Sequence, residues 1–188
     1  MKASSLLLNK YAMIDIAHKL GHKNRKPIPY LQTLTLTIFY NKKQLTNSSF
    51  ILPILYLYIW TQTGQIPLQI KAKKPIAQFQ IFEGDLLGLS VDLRKKKIFN
   101  FIDSFMNEGI PYLSEKNPDF RGFSTDSLTQ TWTLGFSQFP LLSAFSPLYA
   151  LSKKHSIPHT GIALNFSFSK LSGYHKLWAT ATYFPILL

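Results

Sequence analysis

The sequence predicts an α+β fold: a two-layer, mainly antiparallel five-stranded sheet with helices packed on one face. Three observations carry this. Five segments alternate apolar and polar residues with a period of two, as half-buried strands do. Two stretches between them carry apolar residues at helical spacing or in a continuous run. At 188 residues with 46% hydrophobic and 14% aromatic content, the chain can bury a core, which excludes a wholly disordered protein.

The elements follow in order. Residues 1–29 form a basic N-terminal helix and linker. Leu7, Tyr11, Ile14 and Leu20 fall at roughly helical spacing over Leu8 to Leu20, and Gly21 is a natural stop. This acid-poor segment also has the composition of a mitochondrial presequence. Pro27 and Pro29 close it. Residues 30–136 form the core. Its first strand, Leu31 to Ile38, sets Leu34, Leu36 and Ile38 against Thr33, Thr35 and Thr37. Asn47 to Gln62 can be helical, with Ser48 or Ser49 as cap and Pro53 in the first turn.

In the second strand Ile66, Leu68 and Ile70 oppose Gln69 and Lys71. In the third, Leu87, Leu89, Val91 and Leu93 oppose Gly88, Ser90 and Asp92. Lys95 to Asn107 places Ile98, Ile102, Phe105 and Met106 on one stripe, with Phe99 beside it; Gly109 and Pro111 stop it. Trp132, Leu134 and Phe136 oppose Thr129, Thr131 and Thr133 in the fourth strand. Residues 137–159, rich in Ser and Pro, read as a loop or insertion. Residues 160–188 hold the last strand, where Ile162, Leu164, Phe166 and Phe168 share a face, and an amphipathic stretch from Leu171 to Tyr183. The whole reads as one domain.

Charge narrows the function. Twenty-one Lys and Arg against nine Asp and Glu give a formal net charge of +12 on a chain only 16% charged. Such an excess points to a polyanion, either nucleic acid or an anionic membrane surface. The most apolar run, Phe50 to Trp60, is far short of the roughly 20 residues of a membrane-spanning helix. The absence of cysteine excludes disulfides and thiolate chemistry. The bias toward Phe, Ile, Leu, Lys and Asn suggests an A+T-rich genome, as in organelles.

Catalytic constellations are thin. His18 and His22 stand four apart without a carboxylate to complete a metal set, and His155 and His159 flank Pro158. No P-loop, G-x-G-x-x-G or G-x-S-x-G is present. Glu83 and Asp85 read as a polar turn. The expectation is no enzyme, no metal and no cofactor. The basic clusters say more. Lys23, Arg25 and Lys26 form one, and Lys71, Lys73 and Lys74 a second. Arg94, Lys95, Lys96 and Lys97 open a helix against the preference of its dipole for acids. A phosphate backbone would select such placements, although a solvated surface would also tolerate them. Two-layer sheets of this kind serve as RNA platforms.

The stretch from Gly64 to Arg94, GQIPLQIKAKKPIAQFQIFEGDLLGLSVDLR, resembles the signature region of the 5S-rRNA-binding ribosomal protein family of the large subunit. That family shows a GQ-x-P turn, a basic loop between strands, a glycine turn and a strand ending V-T-L-R. Asp119 to Gly122 is similar to its DFRG loop, Thr160 to Phe168 to its last strand, and Tyr183 to Pro185 to its terminal F-x-F-P. The N-terminal helix and first strand also align, so the resemblance runs nearly the whole chain and favours a structural N-terminal helix over a cleaved presequence.

The resemblance implies a structural constituent of the large subunit at the central protuberance, holding large-subunit rRNA and possibly 5S rRNA. Its other implied partners are the P-site tRNA, a protein of the small-subunit head and neighbouring mitoribosomal proteins. The divergence and composition imply a mitochondrial, organelle-encoded member. With the basic clusters and sheet hydroxyls read above, and Gln65 and Arg94 matched by the resemblance, the expected RNA-binding residues are Lys23, Arg25, Lys26, Thr35, Thr37, Gln65, Arg94, Lys95, Lys96, Lys97 and Arg121. The tRNA-proximal loop would be Lys71, Lys73, Lys74, Pro75, Ile76, Ala77, Gln78 and Phe79. The sequence departs from the family pattern in several places. Thr37 stands for asparagine and Asp92 for threonine. In the loop Pro75 stands for serine and Gln78 for glycine, while Gln80 and Phe82 replace basic residues. A free organellar RNA-processing or splicing factor using the same sheet is the alternative.

Overall fold

The computed structural model describes residues 14, 15, 17, 18, 30–40, 51–109, 124–126, 131–136 and 161–169. Their elements are β1 (Tyr30–Phe39), α1 (Ile51–Thr63), β2 (Leu68–Lys71), β3 (Leu86–Arg94), α2 (Lys96–Ser104), β4 (Ser124–Asp126), β5 (Thr131–Phe136) and β6 (Gly161–Ser169). The strands form one six-stranded sheet in the order β2-β3-β1-β6-β5-β4. The α+β class expected from the sequence is the observed one. All five expected strands are present, and β4 is a sixth, pairing antiparallel with β5 through Thr125 and Trp132. Residues 14, 15, 17 and 18 are helical, within the span expected for the first helix. The expected insertion and C-terminal amphipathic stretch lie outside the described residues.

The chain divides into two compact units. One draws on residues 35–92 and 135–164, the other on 1–34, 93–134 and 165–188.

In the first of these, β2 pairs antiparallel with β3, from Leu68 opposite Ser90 to Lys71 opposite Leu86. β1 is also antiparallel to β3, because Thr35 meets Asp92 and Thr37 meets Ser90, so position falls on one strand as it rises on the other. Leu36, Ile38, Leu89 and Val91 are buried, as the alternation demands. Gly88 has a steric reason: a Cβ there would run into the carbonyl oxygen of Ile38 on the neighbouring strand.

The α1 helix carries no charged residue. Ile54, Leu55, Tyr58 and Ile59 are buried, while Leu57 and Trp60 are exposed. Pro53 sits in the first turn, where its missing N–H costs no helical bond. The helix ends at Gly64, whose φ of +62° suits glycine and whose N–H donates to the Trp60 carbonyl at 2.8 Å.

One expectation fails here. Ile66, Leu68 and Ile70 read as a core-facing set, yet Ile66 and Leu68 are 66% and 74% exposed and Ile70 is half-buried. Among the described residues β2 is an edge strand of four residues with a neighbour on one side only. Alternation reports that a strand has two unlike faces; it does not say that a second layer covers the apolar one.

In the other unit, α2 buries Ile98, Phe99, Phe101 and Ile102, and a π-turn over Phe105–Gly109 continues it with Phe105 and Met106 buried. Asn100, Asp103 and Asn107 are exposed. The Phe101 and Phe105 rings stack with centroids 6.0 Å apart, an i, i+4 pair. Trp132 is fully buried with its ring 4.2 Å from that of Phe168. Phe166 and Phe168 are buried on one face of β6, as its alternation predicts.

Candidate nucleic-acid interface

Four groups of the expected site residues lie within the described chain. The first is the hydroxyl ladder between β1 and β3. Thr35 Oγ1 donates to Asp92 Oδ1 at 2.7 Å. Two residues along, the hydroxyls of Thr37 and Ser90 stand 3.5 Å apart. Thr35 is half-buried and Asp92 exposed, whereas Thr37 is buried. Thr37 therefore serves the sheet itself in this conformation, and Thr35 is the accessible hydroxyl of the two.

The second group is the corner between β3 and α2. Arg94, Lys95, Lys96 and Lys97 are all exposed. The first turn of α2 contains no acid, and its N-cap residue, Lys95, has no side chain capping bond. Lys95 has φ +54° and ψ −128°, a conformation that costs a side chain of its kind free energy and that glycine tolerates. Its carbonyl accepts from the Ile98 N–H at 3.3 Å. Four consecutive cations thus occupy a strained turn at the positive end of a helix dipole. The cations at the helix N-terminus and the backbone strain at Lys95 are each locally unfavourable, and a bound anion would offset the charge part.

The third group is Gln65, set by the end of α1. The Thr63 hydroxyl donates to the Ile59 carbonyl at 2.7 Å and accepts from the Gln65 N–H at 3.2 Å. The backbone of Gln65 is therefore pinned, and its side chain is half-buried.

The fourth group is the loop between β2 and β3. Lys71, Lys73, Lys74, Pro75, Ile76, Ala77, Gln78 and Phe79 are all exposed. Sequence reasoning singled out Phe82 only as a departure from a basic pattern; its 66% exposure adds it to this group. Lys23, Arg25, Lys26 and Arg121 lie outside the described residues. Among the described residues no group of three or more His, Asp or Glu side chains could hold a metal ion, and no helix is long and apolar enough to cross a membrane.

The chain is 32% identical over 131 residues to the large ribosomal subunit protein uL5 of Malacoplasma penetrans, which covers 68% of this chain and 66% of that protein. It is 33% identical over 117 residues to uL5 of Clostridium tetani, covering 60% of this chain and 59% of the relative. The chain belongs to the uL5 family of large ribosomal subunit proteins. The chloroplast uL5c of Oryza sativa is 43% identical over a shorter stretch of 65 residues, 35% of this chain and 22% of that protein. The chain thus spans between about a fifth and two thirds of the length of these uL5 relatives. No family model matches it. The relatives are large ribosomal subunit proteins by name.

Proposed function

We propose that this chain is a structural component of a mitochondrial large ribosomal subunit, anchored to rRNA. The observation that carries the reading is the Arg94–Lys97 corner, four exposed cations on a strained turn, in a chain that shares the uL5 family. Lys and Arg of that corner hold phosphates; separately, the Thr35 hydroxyl, its proton given to Asp92, accepts from ribose, and Gln65 supplies amide contacts. The protein lies on the central protuberance and takes 5S rRNA or the rRNA segment that replaces it. The 71–79 loop reaches toward the P-site tRNA, and the protein contributes to a bridge with the small-subunit head. The chloroplast relative and the A+T-type composition support an organellar home.

Sedimentation of ribosomes from purified mitochondria tests the proposal. The chain is expected in the large subunit and in whole ribosomes. Its absence from both, with the protein present in the soluble fraction, would sink the reading and leave a free RNA-processing factor.

A further inference from the structure

We propose that the arm between β2 and β3 holds unpaired RNA by stacking bases on Phe79 and Phe82. This rests on the reading of the chain as an RNA-binding ribosomal protein.

The arm is a built structure. At its base the Ala72 N–H donates to the Asp85 carbonyl at 2.8 Å and the Gly84 N–H to the Ala72 carbonyl at 3.0 Å. Farther out, Ile76 and Ile81 exchange both backbone bonds, at 2.9 and 3.2 Å. A 3₁₀ turn, Ala77–Phe79, closes the tip, with Gln80 in the left-handed conformation. The backbone of each phenylalanine is fixed. Phe79 N–H donates to the Ile76 carbonyl at 3.3 Å. Phe82 N–H donates to the Asp85 carboxylate at 2.8 Å, and Asp85 N–H returns a bond to the Phe82 carbonyl at 3.2 Å.

These bonds present the two rings to solvent, 69% and 66% exposed. Of residues 72–85 only Ala72 is buried, so the rings do not stabilise a core. Large exposed aromatics on a hydrogen-bonded arm are placed for a partner. The charges say which. Lys71, Lys73 and Lys74 are exposed on the incoming side, and of the two acids, Glu83 and Asp85, the Asp85 carboxylate is engaged by the arm's own backbone. Three cations on one side of the arm and two aromatics at and beyond its tip suit a single strand, whose phosphates track the cations while its bases stack. Duplex RNA hides its base faces, so the occupant is unpaired.

The full-length chain is titrated with fluorescent oligoadenylate and, separately, with an RNA duplex of equal length. F79A/F82A is expected to weaken oligoadenylate binding at least about tenfold, to leave duplex binding and the salt slope in place, and to melt like the parent protein. F79W/F82W should retain the affinity. Unchanged oligoadenylate affinity in F79A/F82A overturns the proposal, as does an equal loss on duplex. A variant that keeps its RNA affinity yet leaves the large subunit on sedimentation assigns the rings to a protein neighbour, and so overturns it too. Absence of the parent chain from the subunit is a separate failure, that of the ribosomal reading alone.

Discussion

Thr35 on β1 gives its hydroxyl proton to the carboxylate of Asp92 on β3, at 2.7 Å. An acid therefore occupies the polar face of a sheet in a strongly basic chain, bonded to the single side-chain donor of a neighbour. A carboxylate near phosphates opposes binding, and it engages the hydroxyl that would otherwise donate to them. Asp92→Thr is expected to raise rRNA affinity about fivefold at moderate salt, the size of one close exposed charge pair. Fluorescence anisotropy with an rRNA fragment measures it. An unchanged affinity would place this ladder away from the RNA.

Arg94→Ala and Gln65→Ala are expected to lower occupancy of the chain in assembled large subunits while leaving its melting curve within about 0.5 kcal/mol of the parent, as surface substitutions do. Quantitative mass spectrometry of purified subunits reads the occupancy. Normal occupancy in both variants refutes these two residues as contacts.

Lys95 separates folding from binding. Its φ of +54° is relieved by glycine, so Lys95→Gly should stabilise the chain by up to about 1 kcal/mol. The same change removes a cation and should weaken RNA binding severalfold. Urea unfolding and RNA titration on one preparation test both signs. Tighter binding with lower stability would reverse the account.

Gly88→Ala should destabilise by about 1–3 kcal/mol, because backbone on the neighbouring strand must move to admit the methyl group. Thermal unfolding measures it. A neutral result would mean that β1 and β3 part easily at this point.

The tyrosines set an alkaline limit. Burial raises Tyr58 well above the ordinary phenol value near 10, and raises Tyr40 in the same direction. The neutral forms are favoured by folding, so their contribution is complete below about pH 10. Above it the unfolded chain ionises first, and stability falls as pH rises toward the folded values. Tyr58→Phe should flatten that decline in denaturant unfolding measured from pH 9 to 11. An identical decline in the variant would assign the effect to other groups.

Much of this molecule was legible from periodicity. Strands β1, β3, β5 and β6 and the α2 stripe follow from spacing alone, because each buries one face against a core. β4 escaped because three residues, Ser124–Asp126, are too short to show a period; their pairing with β5 supplies the strand. The exposure of Ile66 and Leu68 also escaped, since position in the sheet is a property of topology. At the site, residue type located the Arg94–Lys97 corner. Spacing could not reveal that Thr37 is buried or that Thr35 and Asp92 are bonded. Those facts depend on the β1–β3 register across more than fifty residues of sequence.

Gly88 carries a consequence for heredity. Its codon begins with two guanines. Change of either to adenine yields serine or arginine in one case and aspartate or glutamate in the other. Each adds a Cβ that meets the Ile38 carbonyl. In a genome drifting toward adenine and thymine, the approach of two strands would hold those two nucleotides fixed while the surrounding codons change.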